Sequence, residues 1–147
     1  MHPGTPPSPE SFPGLSLLFQ RHSDLDPAVV GLLVTLRAAA GPSYISADEF
    51  AERLGLPSRF ALARRLQRLE LPPFRALHAR IRVLAMLVEA ENYDASLSHL
   101  ALRYGEDPAS WFRLVRRVTG YPWSCLSARG LPRLVCQTGL FFWGVGM

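Results

Sequence analysis

Arginine is the side chain through which this sequence could do chemistry. All sixteen basic residues are Arg and none is Lys, a usage in keeping with a GC-rich coding sequence, and the net charge is +4. The distribution says more than the total. Residues 53 to 82 carry eight Arg against the single acid Glu70, and residues 113 to 133 carry five Arg and no acid. Between them, 84 to 107 hold Glu89, Glu91, Asp94, Glu106 and Asp107 against Arg103. A guanidinium stays charged and offers a planar fork of donors, which fits a phosphate or the O6/N7 edge of guanine but transfers no proton. Two basic blocks around an acidic one are the electrostatic footprint of a chain that touches a polyanion in two places.

Residue types that move protons or hold metals are scattered. His22, His78 and His99 have no second ligand at metal spacing and no neighbouring Cys to activate. Glu49 with Glu52, and Glu89 with Glu91, read as solvated helix faces rather than acid and base pairs. Cys125 and Cys136 are too few and wrongly spaced for a zinc site, and nothing marks the chain as secreted, so reduced thiols are expected. No Gly-rich phosphate loop follows a strand, and no apolar run approaches the about 18 residues of a membrane helix. The expectation is a non-enzyme with no catalytic residue, no metal, no cofactor and no membrane partner, located in the cytoplasm.

The elements that must position the arginines are helices. Ser46 with Glu49 makes a capping box, and Phe50, Ala51 and Leu54 give the helix that follows an apolar face up to Gly55, where a left-handed residue is needed to turn. After Leu56 and Pro57, a second helix from Ser58 to Leu69 buries Leu62, Leu66 and Leu69 against the first. That stripe leaves Ser58, Arg59, Ala63, Arg64, Gln67 and Arg68 on or near the outer side. The pattern is a helix-turn-helix. A second copy lies downstream: counted from Ala47 or from Leu97, an apolar residue falls at position four (Phe50, Leu100), Ala at five (Ala51, Ala101), an apolar or aromatic residue at eight (Leu54, Tyr104) and Gly at nine (Gly55, Gly105). Ser96 caps the first helix of this copy and Asp107-Pro108 starts its second. There Trp111, Leu114, Val115 and Val118 form the buried face, and Ala109, Ser110, Arg113, Arg116 and Arg117 are left for a ligand.

Two further helices support these units. Asp26-Pro27 starts one that runs to about Ala40, stopped by Gly41-Pro42, with Val30, Leu33, Val34 and Leu36 buried against the first unit. After the break at Pro72-Pro73, Phe74, Leu77, Ile81, Leu84 and Val88 mark a long connector from Phe74 to about Glu91. At ~1.5 Å per residue these positions span roughly 27 Å, a size that could set the roughly 34 Å between successive major grooves on one face of B-DNA; a core helix with no spacing role is compatible with the same stripe. The predicted fold is all-α, two helix-turn-helix units joined by a long connector helix, about seven helices in all. Residues 1–25 read as a disordered Pro-rich arm, 26–129 as the folded domain, and 130–147, ending GLFFWGVGM, as an apolar tail that packs back or holds a protein partner.

Residues 26 to 129 resemble the tandem helix-turn-helix domain of the AraC/XylS family of bacterial transcription regulators. FAERLGLPSRFALARRL is similar to the family's first unit, with Leu62, Arg64 and Leu66 on its apolar, arginine and aliphatic positions. LALRYGEDPASWFRLVRRVTG resembles the second, with Trp111 in place of the family's Phe, Arg113 on its arginine, and Arg116, Arg117 and Gly120 on its basic end and closing glycine; GYPWSCL resembles the final short helix. The chain departs from the pattern in a second turn one residue shorter, in Glu106 where the family has an apolar residue, in Glu70 where many members have glycine, and in Trp123 where they often have proline. The arm of residues 1–25 is too short for a small-molecule sensing domain, so a ligand-controlled regulator of the usual family design is not implied.

The resemblance implies a nucleoid-associated regulator that inserts recognition helices 58–69 and 108–119 into successive major grooves of double-stranded DNA. It also implies that Glu106 weakens base reading by the second unit. Two unlike units in one chain lead to the expectation of a monomer on DNA, and the apolar tail, which has no counterpart in the family, is a candidate surface for RNA polymerase or another protein. The competing expectation is an interaction module that kept the fold and lost specific DNA recognition.

Overall fold

The computed structural model describes residues 26–128, which form seven α-helices and no strand. In chain order they are α1 (Pro27–Ala40), α2 (Ala47–Arg53), α3 (Arg59–Arg68), α4 (Phe74–Tyr93), α5 (Leu97–Arg103), α6 (Pro108–Thr119) and α7 (Trp123–Ala128). The N-terminal arm, the patch from Leu15 to Phe19, Cys136 and the apolar tail lie outside the described residues.

Local chemistry sets nearly every helix start. Asp26 Oδ1 accepts the amide of Ala28 at 2.7 Å, Ser46 Oγ that of Glu49 at 3.1 Å, and Ser58 Oγ that of Ala61 at 3.2 Å. Ser96 Oγ accepts the amide of His99 at 3.1 Å, and Asp107 accepts those of Ala109 and Ser110 at 3.3 Å each. Each bond satisfies an orphan donor of a first turn and is worth about 1 kcal/mol. The two turns inside the helix-turn-helix units close with one geometry. Gly55 and Gly105 sit at φ +73° and +71°, and the amides that follow them, of Leu56 and Glu106, donate back to the carbonyls of Ala51 and Ala101 at 2.8 and 2.9 Å. The four sequence coincidences therefore mark two copies of one backbone motif. The connector runs past its expected end at about Glu91, because Asn92 and Tyr93 continue α4, and Asp94 stops the helix in a left-handed conformation at φ +48°.

α4 is the axis of the molecule. Its 20 residues span about 30 Å, and it packs against α1, α3, α5 and α6. Leu77, Ile81, Val83, Leu84, Met86, Leu87 and Val88 are all buried, so the helix is apolar around most of its circumference and joins both units into one core with Leu33, Leu36, Phe50, Leu62, Leu66, Leu100, Trp111 and Val115. Its first turns are tied to α2 by a run of rings: Phe50 stacks on Phe74 at 5.5 Å, Phe74 on His78 at 5.1 Å, and Tyr44 tilts onto His78 at 5.4 Å. Burial pushes the His78 imidazole below its ordinary value of 6.5. Its Nε2 donates to the carbonyl of Ser43 at 3.3 Å, so it is a core histidine tied to the α1–α2 loop. At the other end, burial and a hydrogen bond to Glu89 raise the Tyr104 phenol to about 12 and fasten α5 to α4.

Candidate nucleic-acid interface

The second helix of each unit presents one buried and one exposed side. On α3, Leu62 and Leu66 are fully buried, and Arg59, Ala63, Arg64, Gln67 and Arg68 are all exposed. Ser58 is half-buried because its hydroxyl caps the helix. On α6, Trp111, Leu114, Val115 and Val118 are buried while Ala109, Ser110, Arg113, Arg116 and Arg117 are exposed. The outward residues expected from the apolar stripes are therefore outward in the fold. With one residue removed from the second turn, the caps Ser58 and Asp107 align, Leu62 falls on Trp111, Arg64 on Arg113 and Leu66 on Val115.

Ser110 is not a free hydroxyl. Its Oγ donates to Asp107 Oδ2 at 3.2 Å and accepts from Arg113 Nη2 at 3.2 Å, so Asp107, Ser110 and Arg113 form a chain along the start of α6. The chain uses hydrogen bonds that Ser110 could otherwise offer a base, and it holds the Arg113 fork in one orientation. Arg59 instead lies over its neighbour, with its guanidinium carbon 5.2 Å from the centre of the Phe60 ring.

Glu106 behaves differently from expectation. It does not stand as a free acid at the edge of the second head: Arg82 of α4 donates to its Oε2 at 2.6 Å, and the same guanidinium donates through Nε to the carbonyl of Pro42 at 2.9 Å. The Arg82 guanidinium carbon also sits 4.8 Å over the Trp111 ring. One arginine thus neutralises the acid, covers the indole and ties the α1–α2 loop to the second unit. No chain-local pattern announces this pair, whose members are separated by 24 positions.

Two residues outside the expected set belong to the exposed faces. Phe60 on α3 and Phe112 on α6 are 63% and 42% exposed. Both lie off the apolar stripes, and that offset is the sequence signal that distinguishes them from core. An exposed aromatic on a helix that enters a major groove can meet the methyl group of thymine.

The exposed faces are joined by three surface depressions that share walls. The first, about 330 Å³, runs between α3 and the start of α4 and is lined by Arg59, Phe60, Ala63, Gln67, Pro73 and Phe74 among others. The second, about 480 Å³, has Pro73, Arg75, Ala76, Ala79 and Arg80 on one side and Arg117 and Val118 on the other. The third, about 290 Å³, includes Arg117, Arg113, Ser110, Arg82 and Glu106. Pro73 belongs to the first two and Arg117 to the last two, so a continuous surface leads from α3 across the first turns of α4 to α6. Among the described residues that line it, Glu106 is the one acid, and it is paired.

Comparisons with known protein families, with characterised proteins and with solved structures return no match. Among the described residues no group of three or more His, Cys, Asp or Glu could hold a metal, and no described helix is long and apolar enough to cross a membrane. Cys125 is a free thiol.

Proposed function

We propose that the chain is a sequence-specific DNA-binding protein that lays α3 and α6 in successive major grooves, in the manner of the AraC/XylS regulators it resembles. The observation that carries this reading is the continuous basic surface: Arg59, Ala63 and Gln67 at one end, Arg113 and Arg117 at the other, and Arg75 and Arg80 between, with one acid that is already neutralised. In this reading Arg59, Arg64 and Arg113 address guanine edges, Phe60 and Phe112 address thymine methyls, and Arg68 and Arg116 neutralise phosphates.

Selection of bound duplexes from random sequence, followed by binding across a salt series, tests it. Arg59→Ala, Arg64→Ala or Arg113→Ala costs about 1 to 3 kcal/mol on the selected site and little on unrelated duplex. Arg68→Ala or Arg116→Ala weakens all duplexes alike and flattens the salt dependence by about 0.9 unit. No retention of duplex at low salt overturns the proposal. In that event the exposed Phe60 and the largely apolar groove beside it favour the second reading, an interaction module built on the helix-turn-helix fold.

A further inference from the structure

We infer that the cleft between the first turns of α4 and the end of α6 holds a phosphodiester of the DNA strand that crosses from one reading head to the other, making the connector a third point of contact. This rests on the DNA-binding reading above. Arg75, Arg80 and Arg117 line one depression of about 480 Å³, and none of them has a carboxylate partner among the described residues. Three positive charges gathered without an acid repel one another until a polyanion arrives. The rest of the wall is Pro73, Ala76, Ala79 and Val118, short side chains that leave a backbone free to approach the guanidinium groups.

Position decides which anion it is. The cleft shares Pro73 with the groove along α3 and Arg117 with the depression along α6, so a strand leaving one major groove for the next passes over it. α4 also begins at this edge with no side-chain cap, so the positive end of a 20-residue helix adds to the field of the arginines without being needed to create it. Between two major grooves, a protein face that follows one side of the duplex crosses the minor groove and the phosphate backbones that flank it, and a site built of charge with no aligned amide or carboxylate suits the backbone. The connector is then a spacer that also grips.

The test is fluorescence anisotropy of a mixed-sequence duplex of about 20 base pairs over a salt series. The proteins compared are the full chain, Arg75→Gln/Arg80→Gln and Arg75→Lys/Arg80→Lys. The Gln variant should lose about 0.9 unit of salt slope, the value of the one phosphate the cleft holds, and the Lys variant should recover most of it, because a phosphate is also bound by a point charge. On a selected site, neutral methylphosphonate linkages at the middle of the duplex should reproduce the loss with the full chain and add little to the Gln variant. An unchanged slope in the Gln variant while the full chain binds overturns the cleft and leaves the two reading heads standing. A loss that Lys does not restore, or a methylphosphonate loss that simply adds to that of the Gln variant, overturns it as well. Failure of the full chain to bind duplex at low salt removes the DNA-binding reading itself, and the cleft falls with it.

Discussion

Glu70 shows what a single residue can cost at a helix end. The amides of Glu70 and Leu71 donate to the carbonyls of Gln67 and Leu66 at 3.0 and 2.9 Å, the same pair of bonds that closes α2 at Gly55 and α5 at Gly105. There the left-handed residue is glycine; at the end of α3 it is an exposed Glu at φ +58°. A side chain in that region costs roughly 1 to 2 kcal/mol, and glycine returns about 0.5 to 1 kcal/mol of this through the greater freedom of the unfolded chain. Glu70→Gly should therefore stabilise the domain by about 0.5 to 1 kcal/mol in chemical denaturation, whereas Glu70→Ala, which removes the charge and keeps the left-handed strain, should not. Glu70 is also the one acid in the basic block from 53 to 82, so both variants should bind mixed-sequence duplex slightly more tightly at low salt. A stability gain from Ala equal to that from Gly would mean that charge, and not backbone conformation, sets the cost.

At the scale of elements, helix starts were legible and the contacts between helices were not. Asp26-Pro27, Ser46 with Glu49, Ser96 and Asp107-Pro108 act within three residues along the chain, and every one of these caps is made in the fold, while Ser58, expected on the outward face, turns out to cap α3. The outward arginines of α3 and α6 were legible for a similar reason, since the apolar stripe fixes its own opposite face. The end of α4 was not: a polar run reads as a break, yet α4 is anchored by burial on several sides and carries Glu91, Asn92 and Tyr93 as a last turn before Asp94. Least legible was Arg82, whose roles come from Pro42, Glu106 and Trp111, residues on three other segments. Arg82→Ala removes a hydrogen bond, an ion pair and a ring contact together. The domain should lose about 1 to 3 kcal/mol in thermal or denaturant melts, toward the low end because Glu106 is partly in water. The released Glu106 carboxylate then faces the second head, so duplex affinity should fall at low salt. Arg82→Ala/Glu106→Gln should recover affinity more fully than stability. Affinity unchanged in Arg82→Ala would show that Glu106 lies too far from bound DNA to be felt.

For the whole molecule, the two heads belong to one chain and differ in sequence, which on the proposed DNA-binding reading bears on the kind of site they would address. A palindromic operator mirrors the two-fold symmetry of a dimer, whereas two units of different sequence within one chain call for an asymmetric site. The first head offers Arg59, Phe60, Ala63, Arg64 and Gln67; the second offers Ala109, Phe112 and an Arg113 held by Ser110, behind a shorter turn. Because the two units repeat one motif in the same chain direction, their half-sites should run in the same direction and differ in sequence. Glu106 is paired with Arg82, so the part of the expected weakness of the second unit that rested on a free acid no longer follows, and information should appear in both halves of a selected site. With α3 and α6 in successive major grooves, as proposed, the centres should lie about 10 base pairs apart. A few base pairs read at each end then give protection over roughly 15 to 20 base pairs by one molecule. Footprinting together with the mass of the complex measures both quantities. Protection confined to a single groove, or two molecules on a strict palindrome, would mean that α4 does not hold α3 and α6 at the spacing of successive major grooves.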